Sequence, residues 1–145
     1  MAWSKSARAD VGRPVLAASL LLPLAGISLH VLGLRRTLRL FAGKRTACSG
    51  PPAREVAERV AHAVERAGRA YSIYPADCLV RSLVLVRLLH RRGLEARLRF
   101  GARTLTGEFE AHAWVEHCGV PLGVDGSAAR IFYAFESPAG TPHAR

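Results

Sequence analysis

The sequence predicts an α+β domain with a central apolar helix laid on an antiparallel sheet. Three observations carry this. Residues 54–67 place Val56, Val60, Ala63, Val64 and Ala67 at helical spacing. Residues 78–92 are apolar around most of a helical circumference. From residue 96 onward the period of the apolar residues falls to two. Helices followed by strands, with no alternation between them, give an α+β order.

The chain of 145 residues is enough for one modest domain, and half of its residues are apolar, so a core can form. Lys and Arg number 21 against 11 Asp and Glu, a net charge of +10. That excess favours acidic partners without choosing between nucleic acid, anionic lipid and acidic peptide. Aromatic residues are only 7% and do not interleave with the arginines, and no nucleic-acid recognition motif appears.

Residues 15–34 contain no Asp, Glu, Lys or Arg, and twenty such residues just reach across a bilayer. Pro23, Gly26, His30 and Gly33 interrupt the run, and basic residues flank both ends. Three readings fit: a buried or partner-facing helix pair broken near Pro23, a membrane span or surface helix, and a signal sequence. Residues 43–53 hold Gly, Ser and two prolines and read as a linker. The expected division is an apolar helical region over 1–45, a linker over 46–53 and a globular domain over 54–145.

The helix of 54–67 is expected to stop at Gly68. The next begins at Asp77 or Cys78, with Asp77 as N-cap after Pro75, and ends at Gly93. Leu79, Val80, Leu83, Val84, Leu85, Val86, Leu88 and Leu89 make it a central helix. Ala96, Leu98, Phe100 and Ala102 then alternate with Glu95, Arg97, Arg99 and Arg103, a half-buried first strand. After a turn at 104–107, residues 109–117 form a second strand. Cys118 and Gly119 form a two-residue loop, 120–125 a third strand and 130–135 a fourth, in a meander.

The hairpin register carries a chemical consequence. With Cys118 and Gly119 at the tip, His117 faces Val120, and the same register sets His112 opposite Asp125 on one face. A carboxylate so placed fixes an imidazole's tautomer and stabilises its charged form. Cys78 lies in the first turn of its helix, where backbone N–H groups and the helix dipole favour a thiolate and can hold an oxyanion. A nucleophile on a helix N-terminus with base and orienting acid on a hairpin is a layout for cysteine catalysis. Against it stands the plainer reading of Cys78 as a small buried hydrophobe. The three cysteines, at 48, 78 and 118, are odd in number, widely spaced and without a CxxC pair, so reduced thiols in a cytoplasm are expected and Cys48 is a spare thiol. A zinc site built on Cys78, His112, His117 and Cys118 is a poor fit, because His112 and His117 point to opposite faces of their strand. Neither a metal nor a cofactor is expected.

The stretches C-L-V-R-S at 78–82, R-R-G-L-E-A-R-L at 91–98 and H-A-W-V-E at 112–116, with Asp125 downstream, resemble the transglutaminase-like cysteine peptidases. More narrowly, they resemble the leader peptidases of lasso peptide biosynthesis, the B2 proteins. The similarity covers about Val56 to Phe135 and is tightest over 78–125. It implies a papain-like core in which Cys78 is the nucleophile, His112 the base and Asp125 the orienting acid. It implies a precursor peptide as substrate, a separate leader-recognition protein (B1) to deliver it, and an ATP-dependent lasso cyclase downstream. Members commonly begin with apolar helices, which favours a non-spanning role for 15–34, although membrane association through that segment stays open.

Trp114 reads first as a pocket wall or core residue and second as a substrate contact, and Glu116 as an arginine's partner. Arg97, Arg99 and Arg103 are candidates for docking the leader or its recognition protein, set against the plainer reading of a solvated face. The competing functions are a basic nucleic-acid- or membrane-associated binding protein without catalysis, and a true acyl-transferring transglutaminase-like enzyme.

Overall fold

A computed structural model describes residues 5–41, 48, 51–70, 77–105, 107–123 and 133–135. The elements run α1 (Lys5–Phe41), α2 (Pro51–Ala70), α3 (Asp77–His90), β1 (Arg97–Leu105), β2 (Glu108–His117), β3 (Val120–Pro121) and β4 (Tyr133–Phe135). The α+β class predicted from the periodicities is the class observed.

α1 is a helix pair, and its break falls at Gly33 rather than near Pro23. Gly33 has φ 73° and ψ 169°, a conformation open to glycine and outside the helical region. Ser28 and Thr37 hydrogen-bond hydroxyl to hydroxyl at 2.9 Å. A straight helix would hold residues nine apart at about 13 Å, so the chain turns back on itself at Gly33. Pro23 sits inside the first arm and is exposed. Ala18, Leu22 and Ala25 on the first arm, and Leu38 and Phe41 on the second, join one core with α2 and α3. The other side of the first arm presents Leu16, Leu20, Leu24, Ile27 and Val31 to solvent, each more than half exposed. By length and composition α1 is long and apolar enough to cross a membrane.

α2 begins at Pro51, inside the stretch read as linker, and the core is continuous across that stretch. It also runs past Gly68 to Ala70. Gly68 is therefore not a stop signal. A Cβ there would lie 2.9 Å from Arg81 Cδ, so the glycine lets α3's Arg81 side chain cross α2 closely. α3 fills the predicted span and ends as expected. Gly93 has φ 72°, Leu94 N–H donates to Leu89 O and Gly93 N–H to His90 O, each at 3.0 Å, the paired bonds of a Schellman cap. Val84 and Leu89 are fully buried, in keeping with a helix covered on several sides.

The strand order is β3-β2-β1-β4. The chain does not meander to its end: β4 returns to β1 and pairs antiparallel with it, Phe100 facing Phe135. That is a Greek-key order. The first hairpin places Gly101 opposite His112 and Phe100 opposite Ala113. Leu98 and Phe100 pack on the helices together with Val115, so this face of the sheet is the core face. The second hairpin has the predicted register, with His117 opposite Val120 and Glu116 opposite Pro121. Cys118 (φ 53°) and Gly119 (φ 76°) both take positive φ, as a type I′ turn requires. Leu122 N–H donates to Val115 O at 2.9 Å and extends that register one step. β3 itself ends at Pro121, short of the expected 120–125. At Gly123 φ is 72°, and its N–H donates to Glu58 on α2 at 3.2 Å.

The expectation of three reduced thiols is corrected. Cys48 and Cys118 are joined as a disulfide, their Cα atoms 5.6 Å apart, and only Cys78 is free. Spacing along the chain gave no sign of it, because the pair lies 70 residues apart and meets only when the hairpin tip reaches the segment before α2. Closing a loop of that size removes chain entropy worth up to about 4 kcal/mol from the unfolded state. Cys48→Ser, or reduction in chelator-containing buffer, is expected to lower unfolding stability by about 2–4 kcal/mol, read by chemical denaturation. An unchanged midpoint would show that the crosslink leaves the unfolded ensemble unconstrained.

Candidate active site

Cys78 is the second residue of α3 and is half-buried. In the first turn the backbone N–H groups have no intrahelical acceptor, so Cys78 stands at the positive end of the helix dipole. One turn further along, Ser82 is buried and its Oγ–H donates to the carbonyl of Ala113 at 3.2 Å. This bond fixes how α3 meets β2. Val115 directs its carbonyl to the β3 side, where Leu122 receives it, and alternation turns the Ala113 carbonyl the same way. Ala113 lies past the pairs β3 makes with β2, and its carbonyl accepts from Ser82. α3 therefore meets β2 along its edge at this level.

The two elements also advance together. Leu85 lines the same small cleft as Trp114 and Val115, beside Ser82. From the Ser82–Ala113 bond, one helical turn back, about 6 Å, reaches Cys78. One residue back along the strand, about 3.3 Å, reaches His112. Cys78 and His112 thus occupy the same end of the α3–β2 seam. The cleft itself lies further along, between α2, α3 and β2, with Val64, Arg81 and Leu122 in its wall.

His112 is half-buried, and its Nε2 is shielded from solvent. It faces Gly101 across the sheet, so the residue directly opposite on β1 has no side chain. Its ring stacks on Trp114, centroids 6.5 Å apart and planes 17° from parallel. Trp114 is only 1% exposed, and its Nε1–H donates to Glu116 Oε1 at 3.2 Å. Arg99 Nε–H holds the other oxygen of Glu116 at 3.0 Å. The face thus carries a chain of support from Arg99 through Glu116 and Trp114 to the imidazole. Trp114 is a buried wall and Glu116 an arginine's partner, the plainer of the readings weighed for each.

Arg97, Arg99 and Arg103 each meet a carboxylate: Glu95 at 2.8 Å, Glu116 at 3.0 Å and Glu110 at 2.6 Å. The stripe is charge-matched along its length. Asp125, expected opposite His112, lies outside the described residues. The register leading toward it holds through Leu122, and the positive φ of Gly123 ends the regular strand there.

Two features were missed in the sequence. Ser82 ties α3, which bears Cys78, to β2, which bears His112, and its only signal was its place one turn after Cys78. The second is a knot at the hairpin tip. Glu95 accepts the Nδ1–H of His117 on its backbone carbonyl at 2.6 Å and the N–H of Cys118 on Oε2 at 2.7 Å. The latter bond holds a non-glycine residue in the left-handed region.

An α-helical layer, an antiparallel sheet and a cysteine opening the central helix beside a histidine strand define the papain-like class of cysteine enzymes. Residues 16–133 match the Transglutaminase-like superfamily, and the chain belongs to that family. The matched region begins inside α1, so the apolar helix pair is part of the family domain. No curated protein and no solved structure matches the chain.

Ser82→Ala should lower stability by about 1–3 kcal/mol, the cost of leaving a buried carbonyl without its donor. Trp114→Ala should cost about 3–5 kcal/mol through the cavity it opens beside His112. Thermal or denaturant unfolding of the purified variants checks both, and a Trp114→Ala loss under 1 kcal/mol would contradict its burial.

Proposed function

We propose that this protein is the leader peptidase of a lasso peptide pathway, cutting a ribosomally made precursor between leader and core. The observation that supports it best is the Ser82–Ala113 bond. It supports setting the turn that bears Cys78 near the level of His112 on β2, within a transglutaminase-like domain. The motifs C-L-V-R-S and H-A-W-V-E resemble those of the leader peptidases and support this narrower reading.

In this reading the Cys78 thiolate attacks the carbonyl at the leader–core junction. Amides of the first turn of α3 hold the tetrahedral oxyanion. His112 takes the thiol proton and returns it to the departing amine of the core, while Asp125 fixes its tautomer. The leader stays behind as a thioester, and water, deprotonated by His112, releases it as a carboxylate. No metal or cofactor takes part. The substrate is delivered by a separate leader-recognition protein, and the freed amine goes to an ATP-dependent cyclase. Arg97, Arg99 and Arg103 offer acidic leader residues an exchange with their present glutamate partners. The chemistry belongs in the cytoplasm, where the precursor is made, with α1 available for membrane association.

The same triad serves a true transglutaminase when an amine instead of water meets the thioester. Mass spectrometry of a candidate precursor incubated with the protein and its recognition partner separates the two: free leader acid supports hydrolysis, and an amide adduct supports transfer. Cys78→Ala is expected to abolish cleavage with folding and partner binding intact. Asp125→Asn is expected to slow turnover by a factor on the order of 10³. Cys118→Ser should cleave normally per folded molecule. Cleavage by Cys78→Ala would remove Cys78 as nucleophile.

A further inference from the structure

The tip of the second hairpin gathers a set of soft and borderline donors that the peptidase reading does not use. Cys48 and Cys118 are joined there. His117 Nε2 lies 3.5 Å from the sulfur of Cys118. Ligand atoms of Glu95, His117 and Cys118 all fall within 4.8 Å of one another.

The protonation pattern of His117 is set by its surroundings. A carbonyl only accepts, so the 2.6 Å contact with Glu95 O requires the proton on Nδ1. In the neutral ring this leaves a lone pair on Nε2, aimed at the Cys118 sulfur. A disulfide sulfur has no proton to donate to it. The residue is 2% exposed, so Nε2 is turned away from bulk solvent. A buried imidazole with Nδ1–H on a backbone carbonyl and Nε2 directed at a cysteine is the arrangement a metal-binding histidine takes. The spacing agrees. A zinc ion at roughly 2.3 Å from sulfur and roughly 2.05 Å from nitrogen, at a tetrahedral angle, separates the two by about 3.6 Å.

We propose that the reduced protein binds one zinc-like divalent cation at the hairpin tip through Cys48 Sγ, Cys118 Sγ and His117 Nε2, with the Glu95 carboxylate as fourth ligand. Two equivalents of a thiol reductant open the disulfide by exchange and leave as their own disulfide. Each freed thiol gives up its proton on binding, so two thiolates meet the 2+ ion. Glu95 keeps Arg97 on Oε1 and the Cys118 N–H on Oε2, which orient the carboxylate toward the tip. The oxidised and metal-bound forms both fasten the segment before α2 to the hairpin, one by a covalent bond and the other by an ion. The site is separate from Cys78 and does not depend on the peptidase reading.

Cobalt(II) titration of the full-length protein tests this, after reduction with a phosphine and removal of bound metal by a chelator. One equivalent of Co²⁺ should bind with thiolate-to-cobalt charge-transfer absorption and tetrahedral visible bands. Zn²⁺ should displace it and restore the melting temperature lost on reduction. Cys48→Ser and His117→Gln should each weaken binding at least tenfold, whereas Cys78→Ala should leave it unchanged. Cys48 is exposed, so its variant keeps the test sound if the buried His117→Gln does not fold. The absence of a charge-transfer band in the folded, reduced protein would overturn the proposal. So would equal binding by the disulfide form, or a band that survives Cys48→Ser.

Discussion

α3 carries aliphatic side chains on nearly every side, and water must be removed from all of them at once. One flat surface cannot do that. The helix is therefore enclosed by α1 and α2 and by the edge and core face of the sheet, and these elements share a single core around it. Its polar exception on the buried side, Ser82, reaches the Ala113 carbonyl where β3 has ended. Hydrophobic burial thus sets where α3 lies, and one hydrogen bond sets its position along β2. Since Cys78 sits one turn before Ser82, the location of the free sulfur follows from that bond.

The candidate base is held by different means. His112 has a glycine opposite it, a buried tryptophan stacked beside it, and an ion pair anchoring the tryptophan. The tryptophan also lines the cleft between α2, α3 and β2, so the support of the imidazole reaches the helices at the seam. The hairpin tip adds a third constraint. Two successive residues there have positive φ, one of them a cysteine, and Glu95 holds that turn by its side chain and backbone. The tight turn fixes the strand register, and the register fixes which residues share the His112 face.

Much of this was legible because local rules agreed. The period-two run over 96–102, the Gly93 cap and the Cys118-Gly119 tip each specify backbone geometry from a few neighbouring residues, and the structure has each of them. What depended on distant partners was not legible. Gly68 looked like a helix stop, but it answers to an arginine on the next helix. The disulfide joins residues whose proximity exists only after folding. The return of β4 to β1 is a choice between two sheet edges, and the strand's own sequence does not state that α3 already lies along β2. The break in α1 illustrates competition between two signals. Proline tolerates a helix whose lost hydrogen bond lies at an exposed position, whereas Gly33 allows a reversal that buries Thr37 against Ser28. The places of Cys78 on α3 and His112 on β2 followed from helix and strand assignments alone, while the position expected of Asp125 rested on a register carried across Gly123.

The helix pair of α1 has two faces of different use. Its inward side chains, from Ala18 to Phe41, join those that surround α3 and roof the interior of the fold on one side. Its outward row, Leu16, Leu20, Leu24, Ile27 and Val31, is the face left for whatever environment the protein inhabits.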